Sequence, residues 1–236
     1  MSQIAQDCGC TLIDEFPGTG RDIDIGAVIE NLDRMYRRYG NSVVLYGGQL
    51  ATPWFYGFKK MRSTTNDVDL AVSAAMLERV IREYHPNYIP RLEIFLASLD
   101  GTPFIFTAEH IHDWEIAGDF FDTAKVHSFG SLQTVCCSRE YLIALKLRRG
   151  TCSDHSLFGK DAIDILNIIT APFVRHDLTP VDLKLSAELF LRHTGAGGKE
   201  IVWVLSRYTE HLPQEYRQLC AKELSFLQNL IAGETT

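Results

Sequence analysis

The stretch Val43–Val72, VVLYGGQLATPWFYGFKKMRSTTNDVDLAV, constrains this chain more than any other. It holds a short apolar run, a Gly-Gly turn, a helix-length segment and a second apolar run carrying Asp67-Val68-Asp69. Strand side chains alternate between faces, so Asp67 and Asp69 are expected side by side, with Val68 turned into the core. Two carboxylates that close repel and raise each other's pKa unless a cation lies between them. The divalent cation that combines one or two carboxylates with substrate phosphate oxygens is Mg²⁺. Gly47 and Gly48, where a strand gives way to a helix N-terminus, are expected to offer backbone amides to phosphate. A phosphate seat and a metal seat in one strand–helix–strand unit point to nucleotide chemistry.

A second block carries charge in an apolar setting. Ser138 is placed to cap a helix, SREYLIALKLRRG, that ends near Gly150. A polar loop from Thr151 to Gly159 and a further helix from Lys160 to about Ile169 are expected next, closed by Ala171-Pro172. Asp161 and Asp164, three apart, share a face of that helix. Lys146 is a single cation in an apolar run, so its ammonium is expected at a cleft, placed to neutralise triphosphate charge.

The remaining pattern is mixed. Residues 1–22 read as a loosely docked lead-in. Asp24–Tyr39 reads as an amphipathic helix with Asp24 or Asp22 as cap and Gly40 as stop, and Ala74–Tyr84 as another. Ser42–Tyr46, Pro103–Thr107 and Ser131–Cys137 read as strands, and periodicity leaves Leu92–Leu99 open between helix and strand. Trp54, Phe55, Tyr56 and Phe58 are expected to pack a helix on the sheet, with one as a candidate for base stacking. From Leu178 onward the pattern is helical, opened by Thr179-Pro180. Gly195–Gly198 lacks the upstream strand and the following Lys-Ser or Lys-Thr of a P-loop. The expected architecture is α+β: a small mixed sheet flanked by helices over residues 20–172, then a helical bundle over 173–236.

Composition sets the partners. The chain has 236 residues, 46% hydrophobic and 22% charged, as in ordinary globular proteins. Its formal net charge of −7 argues against a broadly basic nucleic-acid surface. Local basic clusters remain at Lys59, Lys60 and Arg62, and at Lys146, Arg148 and Arg149. The opening MSQIAQDCGC lacks the basic and apolar regions of an export signal. A cytoplasmic protein with reduced cysteines and no membrane association is therefore the expectation.

In its order of motifs the chain resembles the DNA polymerase β-like nucleotidyltransferase superfamily, in which an apolar strand, Gly-Gly, a helix and Asp-x-Asp follow one another. Arg62, Thr65 and Asn66-Asp67-Val68-Asp69 resemble the R-x-T-x-D-h-D form of the AbiEii toxin-like branch. Arg62 lies five residues before Asp67 rather than four, so Arg62, Ser63 and Thr64 remain alternatives for the arginine position. Tyr141–Leu147 and Lys160–Ile165 resemble that branch's Y-L-h-A-h-K-h and K/R-D-x-x-D-h blocks. The resemblance covers about residues 40–170. It implies a nucleotidyltransferase-like fold and transfer of a nucleotide from an NTP, with Mg²⁺ or Mn²⁺ held by Asp67 and Asp69. Gly47, Gly48, Arg62 and Thr65 would bind the nucleotide, Lys146 would neutralise phosphate, and Asp161 would act as base or hold Lys146. Members of the branch act as toxins of toxin–antitoxin pairs or stand alone, and some act on tRNA. An antitoxin protein, tRNA or a small hydroxyl acceptor are thus the implied partners.

Such enzymes often draw a third carboxylate from a later strand, and Glu109, Asp113 and Glu115 are the candidates. Three other readings compete: a nucleotide-binding module of the same fold, a transferase acting on a small alcohol, and a zinc hydrolase built on His110 and His112.

Overall fold

The structure is a computed structural model that describes residues 1–13, 24–47, 67–111, 114–115, 119–149, 155–174, 177–194 and 214–232. Its centre is strand β2, Val68–Val72, the middle strand of a seven-stranded mixed sheet. On one side β2 pairs antiparallel with β1, Val43–Leu45. On the other it pairs in parallel with β5, Thr102–Ala108, placing Asp69 beside Ile105. Strands β3 (Asn87–Ile89) and β4 (Ile94–Leu99) continue beyond β5. Strands β9 (Leu132–Cys136) and β8 (Lys125–Phe129) continue beyond β1. A separate two-stranded ribbon joins β6 (His110–Ile111) to β7 (Trp114–Glu115).

The described residues divide into two compact units, 1–47 with 67–137 and 138–232. The first holds the whole sheet. Helix α1 is Ser2–Asp7, α2 is Ile25–Tyr39, α3 is Leu77–Tyr84 and α4 is Asp119–Asp122. Of the two candidate caps, Asp24 caps α2, its carboxylate accepting from the amides of Gly26 (2.9 Å) and Ala27 (3.3 Å). Val28, Leu32, Met35 and Tyr39 form its buried stripe, and Leu77, Val80 and Ile81 form that of α3. Tyr84 of α3 lies against Phe106 of β5, with ring centroids 5.5 Å apart. By strand alternation Phe106 shares a face with Val68, Leu70 and Val72, all buried. The opposite face carries the Ile89, Leu96 and Ile105 cluster.

The second unit is helical: α5 (Arg139–Arg149), α6 (His155–Val174), α7 (Leu183–Thr194) and α8 (Gln214–Ala232). The Ser138 hydroxyl accepts from the Tyr141 amide at 3.2 Å, the expected cap of α5. No described helix is long and apolar enough to cross a membrane.

Several local expectations are corrected. The described part of the lead-in is docked: Thr11 and Ile13 exchange backbone hydrogen bonds with Tyr88 at 2.8 and 3.0 Å, covering the bare edge of β3. Leu92–Leu99 resolves as strand over Ile94–Leu99. Helix α3 starts at Leu77 instead of Ala74, because Glu109 Oε2 accepts from the Ala74 amide at 2.8 Å and ties that residue into a turn. Helix α6 begins at His155 and runs through Pro172 to Val174. Burial of every residue from Asp164 to Ala171 outweighs the one backbone bond the proline omits. Helix α7 is capped by Asp182, whose carboxylate accepts from the Leu185 amide at 3.0 Å. The expected cap, Thr179, is instead held by Arg139, which donates to its carbonyl at 2.7 Å and its hydroxyl at 3.2 Å. Strand β8 was not anticipated, because KVHSF lies largely exposed at the sheet edge and carries no apolar alternation.

One buried carboxylate ties α2 to β9. Asp33, 5% exposed, accepts from the Gln133 amide and from Arg37 Nε, both at 2.7 Å. Burial by itself raises the Asp33 carboxyl. The hydrogen bonds from Arg37 and Gln133 and the Arg37 charge outweigh that and hold it below the usual carboxylate range. Asp33→Asn is therefore expected to cost about 1.5–3 kcal/mol in urea unfolding near neutral pH. Because the folded value is depressed below the ordinary 3.8, the contribution is complete above that value and fades as pH falls through the folded one. The stability gap between wild type and Asp33→Asn should close below about pH 4, and a gap unchanged down to about pH 3 would refute the assignment.

Candidate functional site

The alternation expected over Asp67–Asp69 is what β2 shows. Val68 and Leu70 are fully packed, whereas Asp67 and Asp69 are half-buried on the other face. The β1–β2 register pairs Leu45 with Leu70, so the next residue, Tyr46, lies opposite Asp69. Its amide donates to the Asp69 carbonyl at 3.1 Å. Gly47 follows and is buried. A Cβ built on Gly47 would stand 2.6 Å from Asp69 Oδ2 and 2.9 Å from its Cβ. No side chain fits there, so glycine is required by the closeness of the aspartate.

That contact changes the role expected of Gly47. Its amide is not bare: it donates to the Asp69 carbonyl at 3.4 Å, sharing that acceptor with Tyr46. Gly47 serves the site by leaving room for a carboxylate. Gly48, Arg62 and Thr65 lie outside the described residues, as do Trp54, Phe55, Tyr56, Phe58, His112 and Asp113.

Glu109 is brought to a different place. Its amide donates to the Val72 carbonyl at 3.1 Å, and its carboxylate binds the Ala74 amide. Asp67 and Asp69 sit at the start of β2 and Glu109 beyond its end. Four to six residues of strand separate the two levels, roughly 13–20 Å at 3.3 Å per residue. Glu109 is thus not a third carboxylate beside the pair. Glu115 lies on β7, paired with His110 of β6. Among the described residues no group of three or more His, Cys, Asp and Glu side chains converges as a metal cluster.

The second unit brings Lys146, Asp161 and Asp164 together. Lys146 Nζ donates to Asp161 Oδ1 at 3.1 Å and to Asp164 Oδ2 at 2.5 Å. The shared helix face expected of the two aspartates is what allows both to reach one ammonium. The cleft position expected of Lys146 is not found. Lys146 is 5% exposed, Asp161 3% and Asp164 fully buried. The ammonium is spent on two carboxylates from α6, so helix–helix attachment is its structural role. Asn167, one turn beyond Asp164, is 1% exposed, and its side-chain amide finds no hydrogen-bond partner among the described residues. A fully buried Asn mid-helix was not singled out in the sequence, although its three-residue spacing from Asp164 marks the same stripe.

Of the expected basic clusters, Lys59, Lys60 and Arg62 lie outside the described residues, and Lys146 of the second is buried. The exposed arginines of α2 and α3 were missed, although Arg34, Arg37 and Arg38 fall at helical spacing. Each of several meets an acid: Arg34 with Asp100, Arg37 with Asp33, Arg38 with Glu83 and Arg82 with Glu78. The pairs of Arg34, Arg38 and Arg82 lie at the surface, where such pairing contributes little and leaves little net charge for an anion.

Comparison of the chain with protein-family models and with curated proteins finds no match in either.

Breaking the buried ion pairs tests the attachment. Lys146→Met leaves two carboxylates in a dry core and is expected to cost about 3–5 kcal/mol in denaturant unfolding. Adding Asp161→Asn and Asp164→Asn should recover much of that loss. A single variant as stable as wild type would show that the ammonium does not hold α5 to α6.

Proposed function

We propose that the chain is a metal-dependent nucleotidyltransferase that moves a nucleotide from an NTP to a hydroxyl acceptor. The carrying observation is the Gly47–Asp69 contact: a buried glycine at the end of β1 is pressed against a half-buried carboxylate that shares a sheet face with Asp67. Two aspartates two residues apart on one face offer hard oxygen donors from rigid backbone. That donor set fits Mg²⁺ or Mn²⁺, which need only one or two carboxylates when phosphate oxygens complete the shell. Asp67 and Asp69 would hold the cation. When bound, such an ion supplies electrostatic stabilisation to attacking and leaving oxygens. The chain's own work is to orient the two carboxylates. Strand pairing on both sides of β2 fixes their spacing, and Gly47 keeps Asp69 clear of side-chain crowding.

Lys146 and Asp161 enter this proposal as the framework of the helical unit, because their charges are satisfied by one another and by Asp164. The resemblance to the AbiEii-like branch supports an NTP as donor and leaves tRNA and small alcohols as acceptors. It also supports a toxin–antitoxin pairing and a cytoplasmic location. Nucleotide binding without turnover is the second reading, favoured by the commitment of Glu109 to Ala74 far from the pair.

Labelled NTPs incubated with Mg²⁺ and either tRNA or small alcohols separate these readings by where label appears. Asp67→Asn and Asp69→Asn are each expected to bring transfer to background with the fold retained. Turnover unchanged in both would end the metal-pair assignment. Mg²⁺ with NTP should raise the melting temperature, the stabilisation reaching about 2.7 kcal/mol when ligand is at a hundred times its Kd. The double Asp67→Asn/Asp69→Asn variant should show no such rise.

A further inference from the structure

We propose that Cys8 and Cys10 form a redox site, a dithiol that a low-molecular-weight disulfide of the glutathione type converts reversibly into an internal disulfide. The inference is independent of the metal site. Helix α1 ends in a Schellman turn, in which the Gly9 amide donates to the Gln6 carbonyl at 3.0 Å and the Cys10 amide to the Ala5 carbonyl at 2.9 Å. Gly9 takes the left-handed conformation that this turn needs, with φ 69°. A left-handed residue turns the chain as tightly as a helical one does, so the Cα atoms of Cys8 and Cys10 lie about 5.4 Å apart. The commonest Cα separation in disulfides is about 5.5–6 Å. The turn is fixed at both ends: buried Ala5 anchors α1, and the Thr11 carbonyl accepts from the Tyr88 amide of β3 at 2.8 Å. Both thiols are thus carried on anchored backbone, and both are half-buried, within reach of a solute.

The two thiols have different parts. Burial, with the charge of Cys8 adding to it, pushes the Cys10 thiol above its ordinary pKa. Only a thiolate attacks a disulfide, so the first attack falls to Cys8. Cys8 Sγ bonds to one sulfur of the oxidant, the oxidant's S–S bond breaks, and one glutathione thiolate leaves. Cys8 then carries no charge, so its part in raising Cys10 is gone. Cys10 gives its proton to water, its Sγ attacks Cys8 Sγ, and the second glutathione thiolate leaves. Two protein thiols have lost two electrons and two protons, and one small disulfide has become two thiols. The ring so formed is small and accessible, and exposed disulfides are the readily reduced ones, so excess reduced glutathione restores the dithiol.

Trypsin releases Cys8 and Cys10 in one peptide that ends at Arg21 and holds no other cysteine. The test equilibrates the full chain in glutathione buffers of graded composition, quenches in acid, alkylates, and reads that peptide by mass spectrometry. With oxidised glutathione in excess, the wild-type peptide is expected to lose two hydrogens and take up no alkylating agent, and reduced glutathione should reverse the change. Cys10→Ser should stop at the mixed disulfide on Cys8, formed about 3- to 10-fold faster than the one on Cys10 in Cys8→Ser. The ring-closure constant should be about 3- to 30-fold larger in the folded chain than in the same protein in urea, because the turn holds the two Cα atoms near disulfide distance. Both cysteines alkylated in excess oxidised glutathione, glutathione retained on each, or a bond from either to another cysteine would overturn the inference. A ring-closure constant no larger in the folded chain than in urea would overturn the claim that the turn prepares the pair. Faster modification of Cys10 than of Cys8 would overturn the order of attack.

Discussion

Everything at the candidate site depends on the register between β1 and β2. Side chains on a strand have a period of two, so a slip by one residue would carry Asp69 into the apolar layer and Leu70 out of it. The cost of burying an unpaired carboxylate is many times that of exposing a leucine, so the register has a single deep minimum. The pairing of Leu45 with Leu70 brings Gly47 against Asp69, sets Tyr46 opposite the aspartate, and leaves Asp67 on the same face. β5, parallel on the other side, keeps β2 from twisting away and presents Thr107 to the tyrosine. None of these contacts stands alone; each follows from the way β1 and β5 pair with β2.

Much of this was legible in the amino-acid order, for reasons that differ by element. The D-V-D alternation reads directly as strand geometry, because periodicity and burial agree there. The capping of α2 by Asp24 and of α5 by Ser138 was legible because caps are local chemistry. What stayed hidden was long-range. Nothing local says that Thr11 and Ile13 will complete the edge of β3, or that Arg139 will claim Thr179 and pass the capping of α7 to Asp182. Strand β8 carries no apolar alternation because it is an exposed edge, and its pairing with β9 is its whole reason for being extended. The role of Gly47 was read as an open amide, and only the tertiary approach of Asp69 shows that its missing side chain is what counts.

Lys146 shows how a single charge in an apolar run can be misread. Solvent exposure and burial beside two carboxylates leave the same signature in sequence, since both keep the ammonium out of hydrocarbon. The three-residue spacing of Asp161 and Asp164 was the clue that favoured burial, because two acids on one face can chelate one ammonium. Replacing such a group with apolar residues of matched volume is often neutral in energy, so its retention reflects specificity of helix pairing more than stability. In α6 that specificity is useful, because the helix is buried on all sides from Asp164 to Ala171 and apolar contacts alone would tolerate rotation.

The order of strands across the sheet also has a kinetic consequence. β3, β4, β5 and β2 follow one another within a short length of chain and occupy contiguous positions. The other half is closed by distant partners: Leu45 meets Cys136, and Asp33 meets Gln133, 100 residues away in sequence. Closing a long loop costs chain entropy before any contact rewards it, and such topologies fold slowly. The β2–β5 half is therefore expected to form the nucleus, with the β8–β9 hairpin docking after the rate-limiting step. Truncations at Phe95 or Phe106 would then slow folding, whereas a truncation at Val135 would chiefly hasten unfolding. On this expectation the strand that bears Asp69 belongs to the half of the sheet that folds first.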